Sequence, residues 1–182
     1  KFITDNPELF EDGDIFTSCT ECENGGPGDP RNTGDILGHR SFLISEYEAS
    51  RESFSKIGKK VLSGYYSMNG DVAKVIMDKQ TTSALGGVVV VDHYVESPQI
   101  LIEDIRNLAK SSGGKVILGE FGVPVPDVNG DMSEEEQANW LEAAFEGFKQ
   151  VRDLIGVNYW VSFGGSTALW RANGQPKQAV DV

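Results

Sequence analysis

The run Val88-Val-Val-Val-Asp-His-Tyr94 constrains this chain more than any other feature, because its first four positions show no polar alternation. A strand with one face in water alternates apolar and polar residues, whereas one covered on both faces can be apolar throughout. Cover on both faces is what crossover helices provide to a parallel sheet. Four further runs rich in β-branched or aromatic residues read as strands: Asp14–Cys19, Val61–Tyr66, Lys115–Glu120 and Val157–Val161.

Segments of helical period separate them. Ser97 and Pro98 supply a cap and a first-turn proline, after which Leu101, Ile105 and Leu108 repeat until Ser-Gly-Gly stops the helix. Ser133-Glu-Glu-Glu136 reads as a capping box ahead of Trp140, Leu141, Ala144, Phe145 and Phe148, which share one face. Asp71 is expected to cap a shorter helix carrying Val72, Val75 and Ile76, and another helix is expected from about Ser41 to Ile57. Strict alternation of strand and helix implies a parallel α/β sheet. No G-x-G-x-x-G or Walker lysine motif joins a strand to a helix, as a nucleotide-binding open sheet would require. The chemically loaded residues instead close several different strands: Glu21, Asp92 with His93 and Tyr94, Glu120, and Trp160. That distribution fits the catalytic face of a (β/α)8 TIM barrel. Five strands do not close such a barrel, so residues 1–182 read as part of one catalytic barrel domain, cut at both ends and expected to be inactive in isolation.

Composition narrows the partners. With 16 Lys+Arg against 28 Asp+Glu the formal charge is -12, and the basic residues are scattered, which disfavours nucleic acid. No apolar run approaches the roughly 18 residues of a membrane span, so no membrane partner is expected. Cys19 and Cys22 form a C-x-x-C, but the only histidines, His39 and His93, stand far off, so no metal is expected. A redox dithiol is the rival reading, although the motif runs into Glu-Asn-Gly-Gly-Pro-Gly-Asp-Pro instead of opening a helix. Asp127-Val-Asn-Gly-Asp131 has the start of a calcium loop but lacks its sixth-position glycine and twelfth-position Glu, and reads as a loop entering the capped helix.

Paired carboxylates on strand ends suit glycosidic bond cleavage, in which one carboxyl donates a proton to the leaving oxygen and the other attacks or activates water. Here a resemblance enters. Leu118-Gly-Glu-Phe-Gly122 resembles the penultimate-strand motif of the clan A glycoside hydrolases, retaining enzymes on the eightfold barrel that include cellulases and mannanases. Cys19-Thr-Glu-Cys-Glu-Asn24 is similar to their Asn-Glu-Pro motif after the fourth strand, with Thr20 in place of Asn and Cys22 in place of Pro. The resemblance implies strands 4 to 8 of the barrel, Glu120 as nucleophile and Glu21 as acid/base, with Glu23 the alternative. About 100 residues separate Glu21 from Glu120, enough for three βα units. Asp92-His93-Tyr94 resembles the family's His-x-Tyr signature. With regular alternation Tyr94 stands beside the nucleophile and Asp92 takes the His position; with a bulge, His93 enters instead. Trp160 matches the eighth-strand tryptophan that floors the sugar site, and Trp170 and Tyr66 are further candidates for its walls. Trp140, on a helix face, is expected to pack in the core.

The resemblance therefore implies a retaining hydrolase of β-linked oligo- or polysaccharides, needing no cofactor, that contacts substrate through Thr20, Tyr94, Trp160, Asp92, His93 and Tyr66. Secretion or cell-surface display follows only from that substrate class. A non-catalytic carbohydrate-binding barrel and a C-x-x-C thiol oxidoreductase are the alternatives.

Overall fold

The computed structural model describes residues 1–182. Its elements run α1 (Phe2–Asp5), α2 (Pro30–Thr33), α3 (Ile36–Lys56), β1 (Ser67–Asn69), α4 (Gly70–Ile76), α5 (Lys79–Ala84), β2 (Val88–Asp92), α6 (Pro98–Ser112), β3 (Lys115–Phe121), α7 (Pro126–Asn129), α8 (Glu134–Phe148) and β4 (Leu154–Tyr159), with three short 3-10 turns at Pro7–Leu9, Cys22–Asn24 and Gln178–Asp181. The four strands form one parallel sheet in the order β1-β2-β3-β4, with Leu118 opposite Val157 and Phe121 opposite Tyr159. A doubly wound sheet reverses its strand order at a switch point, whereas a barrel keeps chain order. Sequential order with helices between the strands is that of an incomplete (β/α)8 barrel.

Two of the five expected strands are not formed. Asp14–Cys19 and Val61–Tyr66 meet only at a single parallel bridge, Ile15 to Leu62, where the Phe16 N–H donates to the Leu62 carbonyl at 2.8 Å. Gly64 interrupts the second run: its φ is 94°, and a side chain there would put a Cβ 2.2 Å from the Leu85 carbonyl oxygen. The first run is turned aside where the Thr17 hydroxyl donates to the Cys19 carbonyl at 3.1 Å. The short strand β1 begins only after Tyr66, and β4 starts three residues before the expected fifth strand and stops ahead of Trp160.

The chain divides into two compact units, Lys1–Val90 with Ser111–Lys115, and Val91–Lys110 with Val116–Val182. In the first, Ile3, Phe10 and Phe54 form a core cluster on which Phe16, Ile57 and Val61 pack. The rings of Phe10 and Phe54 meet edge to face at 5.0 Å. Asp35 caps α3 through the Gly38 N–H at 2.8 Å, so this helix starts five residues earlier than its apolar period announces. Asn69, not Asp71, caps α4, its Oδ1 accepting the Asp71 N–H at 2.9 Å. Asp71 lies inside the first turn, where its charge suits the positive helix end. Helix α5 was not legible, since Lys-Gln-Thr-Thr-Ser-Ala has no apolar period; Asp78 defines it by accepting the Thr81 N–H at 2.8 Å.

The second unit follows its sequence closely. The Ser97 hydroxyl accepts the Ile100 N–H at the start of α6, and Ser133 and Glu136 form the expected capping box at the start of α8. Val116, Leu118 and Phe121 of β3 are buried, and the Phe121 ring meets those of Phe148 and Tyr159 edge to face, both at 5.4 Å. Trp140 is buried on α8, as expected of a packing residue. No helix is long and apolar enough to cross a membrane.

Candidate active site

In the second unit, Glu120 is the penultimate residue of β3 and half-buried. Strand β2 ends at Asp92, but the His93 N–H still donates to the Glu120 carbonyl at 2.8 Å, so the chain beyond β2 stays beside β3. Side-chain alternation then sends consecutive residues to opposite sides. The Tyr94 hydroxyl donates to Glu120 Oε2 at 2.9 Å, while His93 Nε2 lies 2.8 Å from Asp104 Oδ2 on α6. The bulged arrangement that would bring His93 in place of Tyr94 is therefore absent, and His93 belongs to the helix layer. Asp92 is buried at the end of β2.

Trp160 follows β4, and its N–H donates to the Phe121 carbonyl at 2.8 Å. Its side chain is not core: the residue is 50% exposed. Gly122 explains the last position of the Glu-Phe-Gly motif, since a Cβ there would fall 2.1 Å from the Trp160 carbonyl oxygen. Only glycine allows the segment after β3 to lie this close to the segment after β4.

Three bracing residues carry no motif in the sequence. Gln137, fully buried on α8, donates through Nε2 to the carbonyls of Val123 at 2.7 Å and Thr167 at 3.0 Å. Tyr159 Oη lies between the same two carbonyls, 2.9 and 2.7 Å away, and burial pushes its phenol above the usual range, which keeps its proton in place. Asn129 Nδ2 donates to the Val95 carbonyl at 2.7 Å, and Oδ1 accepts the Val125 N–H at 3.0 Å. Together they fasten the loops after β2, β3 and β4. A polar residue on the apolar stripe of Trp140, Leu141 and Ala144 was the signal for Gln137.

In the first unit, Glu21 does not extend a strand as expected. It precedes the Cys22–Asn24 turn with φ 44° and ψ 53°, the one non-glycine residue at positive φ, and its N–H donates to the Ser67 carbonyl at 3.0 Å. Thr20 and Glu21 are exposed, whereas Cys22 and Glu23 are buried. Glu23 Oε1 accepts the Asn69 N–H at 2.6 Å, which ties the turn to the end of β1. Arg31 grips Asp29 with two nitrogens and donates to Asn69 Oδ1 at 3.2 Å, and its guanidinium holds the Asp29 carboxyl below the usual range. Cys19 and Cys22 are joined in a disulfide that leaves no free thiol, and the motif opens a three-residue turn in place of the helix that a thiol oxidoreductase uses. Tyr66 is not a cleft wall: it is 2% exposed, its hydroxyl bonds to Ser18 and Ser50, and burial raises its pKa. No group of three or more His, Cys, Asp or Glu side chains is arranged to hold a metal ion, and Asp127–Asp131 contributes the turn of α7.

No family model matches the sequence, and no curated protein resembles it in sequence. Solved structures do resemble it in fold. A fungal β-1,4-galactanase matches with a TM-score of 0.66 and 15% identity over 98% of this chain and 63% of its own. An exo-β-1,3-glucanase of glycoside hydrolase family 128 from Cryptococcus neoformans matches at 0.62 with 10% identity, over 92% of this chain and 67% of its own. β-Glucuronidase 2 of Bacteroides uniformis matches at 0.61 with 12% identity, over 90% of this chain and 22% of its own. The chain thus spans less than two thirds of the galactanase. What it shares with these enzymes is the TIM-barrel fold.

Proposed function

We propose that this chain carries part of the catalytic domain of a retaining glycoside hydrolase acting on β-linked oligo- or polysaccharides outside the cell. The observation that carries the reading is the Tyr94 hydroxyl held 2.9 Å from Glu120 Oε2 at the C-terminal end of β3. A carboxylate fixed by one hydrogen bond, with its other oxygen left to reach an anomeric carbon, is arranged for nucleophilic attack. Likeness in fold to a galactanase, an exo-glucanase and a β-glucuronidase supports the class of chemistry.

Glu120 forms a bond to the anomeric carbon as the glycosidic C–O bond breaks, and Glu21 gives its proton to the departing oxygen. Water then attacks the glycosyl-enzyme, losing its proton to Glu21 and releasing Glu120. The left-handed backbone at Glu21 supports giving it a chemical role, because such strain, about 1–3 kcal/mol, gathers where function maintains it. Glu23 is less suited to the acid/base role, since its carboxylate is buried and holds backbone. The exposed Trp160 indole offers a flat face to the C–H groups of a pyranose ring, and the exposed Thr20 hydroxyl and the buried Asp92 complete the assigned contacts.

The test is kinetic and stereochemical, on the full-length protein. Glu120→Gln and Glu21→Gln should each lower kcat on an aryl β-glycoside by about 10²–10⁴-fold, and the first product anomer seen by proton NMR should be β. An α anomer would exclude the double displacement. Unchanged turnover in either variant would remove that residue from the mechanism, and sugar binding with no hydrolysis by the unaltered protein would select the binding-barrel reading.

A further inference from the structure

Beyond Trp160 the second unit exposes two more large aromatic residues, Phe163 at 59% and Trp170 at 38%. Their backbones form a parallel bridge, with the Trp170 N–H donating to the Ser162 carbonyl at 3.0 Å, so the two side chains arise from adjacent positions. Both line a pocket of about 280 Å³ with Gly164, Gly165, Arg171 and Lys177. A side chain at either glycine would meet nothing within 4 Å, so the floor is open.

The pocket rests on a fixed support. Trp170 also bridges to Pro176 in an antiparallel sense across a turn closed at Gly174, and the Arg171 N–H donates to the Gln175 carbonyl at 2.8 Å. The Arg171 guanidinium donates twice to the Glu134 carboxylate, at 2.8 and 2.6 Å, which anchors the hairpin to the first turn of α8. The Glu134 carboxylate offsets the Arg171 guanidinium and also feels Lys177, so of the two cations and one carboxylate a single positive charge remains, placed at Lys177. No acidic residue lines the pocket, in a chain whose net charge is -12. This is a local reversal of sign beside two aromatic faces.

Aromatic walls take the C–H faces of a sugar ring, and a lone ammonium beside them takes a carboxylate. We infer that this pocket is a second sugar subsite, separate from the one at Trp160, and that it takes a pyranose unit bearing a carboxylate. The inference rests on the carbohydrate reading above for the class of ligand, but not on Glu120 being the nucleophile.

Binding is measured by calorimetry on the full-length protein, with each ligand checked for hydrolysis by mass spectrometry after the titration, using β-linked oligosaccharides of two to six units in two series, neutral and ending in a uronic acid. The acidic hexamer should bind about tenfold tighter than the neutral one at low salt. Lys177→Met should abolish that difference, and raised salt should shrink it. Trp170→Ala should weaken the longer acidic ligands by about tenfold and the disaccharide by less than twofold, with Trp170→Phe restoring most of the loss. Equal affinity for both series would overturn the carboxylate, and equal loss at every length would overturn a separate subsite. Because the readout is affinity, an enzyme that binds in this way yet never hydrolyses would sink the catalytic reading and leave the subsite standing.

Discussion

The two carboxylates singled out by their motifs stand on opposite kinds of support. Glu120 belongs to a seven-residue strand, with Phe121 buried among aromatic rings, Gly122 against the Trp160 carbonyl, and Tyr94 on its own carboxylate. Glu21 belongs to no strand; a disulfide, one backbone bond to Ser67 and the buried Glu23 carboxylate hold its turn. The first support is packing, distributed over many contacts and hard to perturb locally. The second is a few discrete bonds, each removable alone. If the proposed roles hold, with Glu120 supported by packing and Glu21 by tethers, disturbing the first should cost stability and disturbing the second activity.

The largest effect is expected at Gly122. In Gly122→Ala the new methyl meets backbone, not a flexible side chain, so the strand ends must separate, at a cost of about 3 kcal/mol, the upper part of the range for overpacking. Chemical denaturation should show it as a lowered midpoint with unchanged slope. A variant as stable as the parent would mean that the contact with Trp160 is soft and that the contrast is overdrawn. Gln137→Leu comes next, at about 2 kcal/mol, because the buried carbonyls of Val123 and Thr167 are then left to the single proton of Tyr159. Its loss should appear in the same denaturation experiment, and a Gln137→Glu variant should fare no better, since it replaces the donor with an acceptor.

Opening the Cys19–Cys22 disulfide sharpens the other side. For so short a loop the chain-entropy model gives about 2 kcal/mol at most, and a turn that frays alone would show less in global unfolding. Cys19→Ser with Cys22→Ser should therefore shift the denaturation midpoint less than Gln137→Leu does, while lowering kcat of the full-length protein by about tenfold as Glu21 loses its position. Full activity with both cysteines replaced would show that the tether does not position Glu21 for a catalytic role.

The contrast also explains what was legible. Where apolar period coincided with caps, as in β3, α6 and α8, the expected elements formed, because packing and local signals agreed. Trp140 was placed correctly for the same reason. Around Glu21 the strand reading failed, since β-branched and aromatic residues at 14–19 and 61–66 supply propensity while Gly64 and Thr17 turn the backbone away. Tyr66 was misassigned because an aromatic residue at the end of a strand-like run looks the same whether it faces core or solvent. His93 was decided by Asp104, a partner eleven residues away that no local pattern announces. Gln137 was visible as a polar break in an apolar stripe, but its meaning depended on carbonyls far off in sequence.

The smallest effect is expected in acid, and it bears on both halves. Asp29 and Asp78 in the first unit and Glu134 and Glu136 in the second all have carboxyls held below their usual range, Glu134 by Arg171 and Glu136 chiefly by the Ser133 N–H. A carboxyl whose pKa is lower in the folded chain stabilises the fold above its unfolded value, about 4, and loses that contribution as pH falls through the folded value. The melting temperature should thus hold from pH 7 to about 5 and decline below about 4. All four groups are solvent-screened, so the slope should be shallow and should weaken with salt. Glu134→Gln should flatten the decline, since it removes a group that Arg171 must release on protonation. It should also loosen the hairpin that carries Trp170, as read by indole fluorescence at neutral pH, while leaving the emission of a protein that retains only Trp160 unchanged. Equal changes at both indoles would show that the salt bridge braces the whole strand-end region and not the hairpin alone.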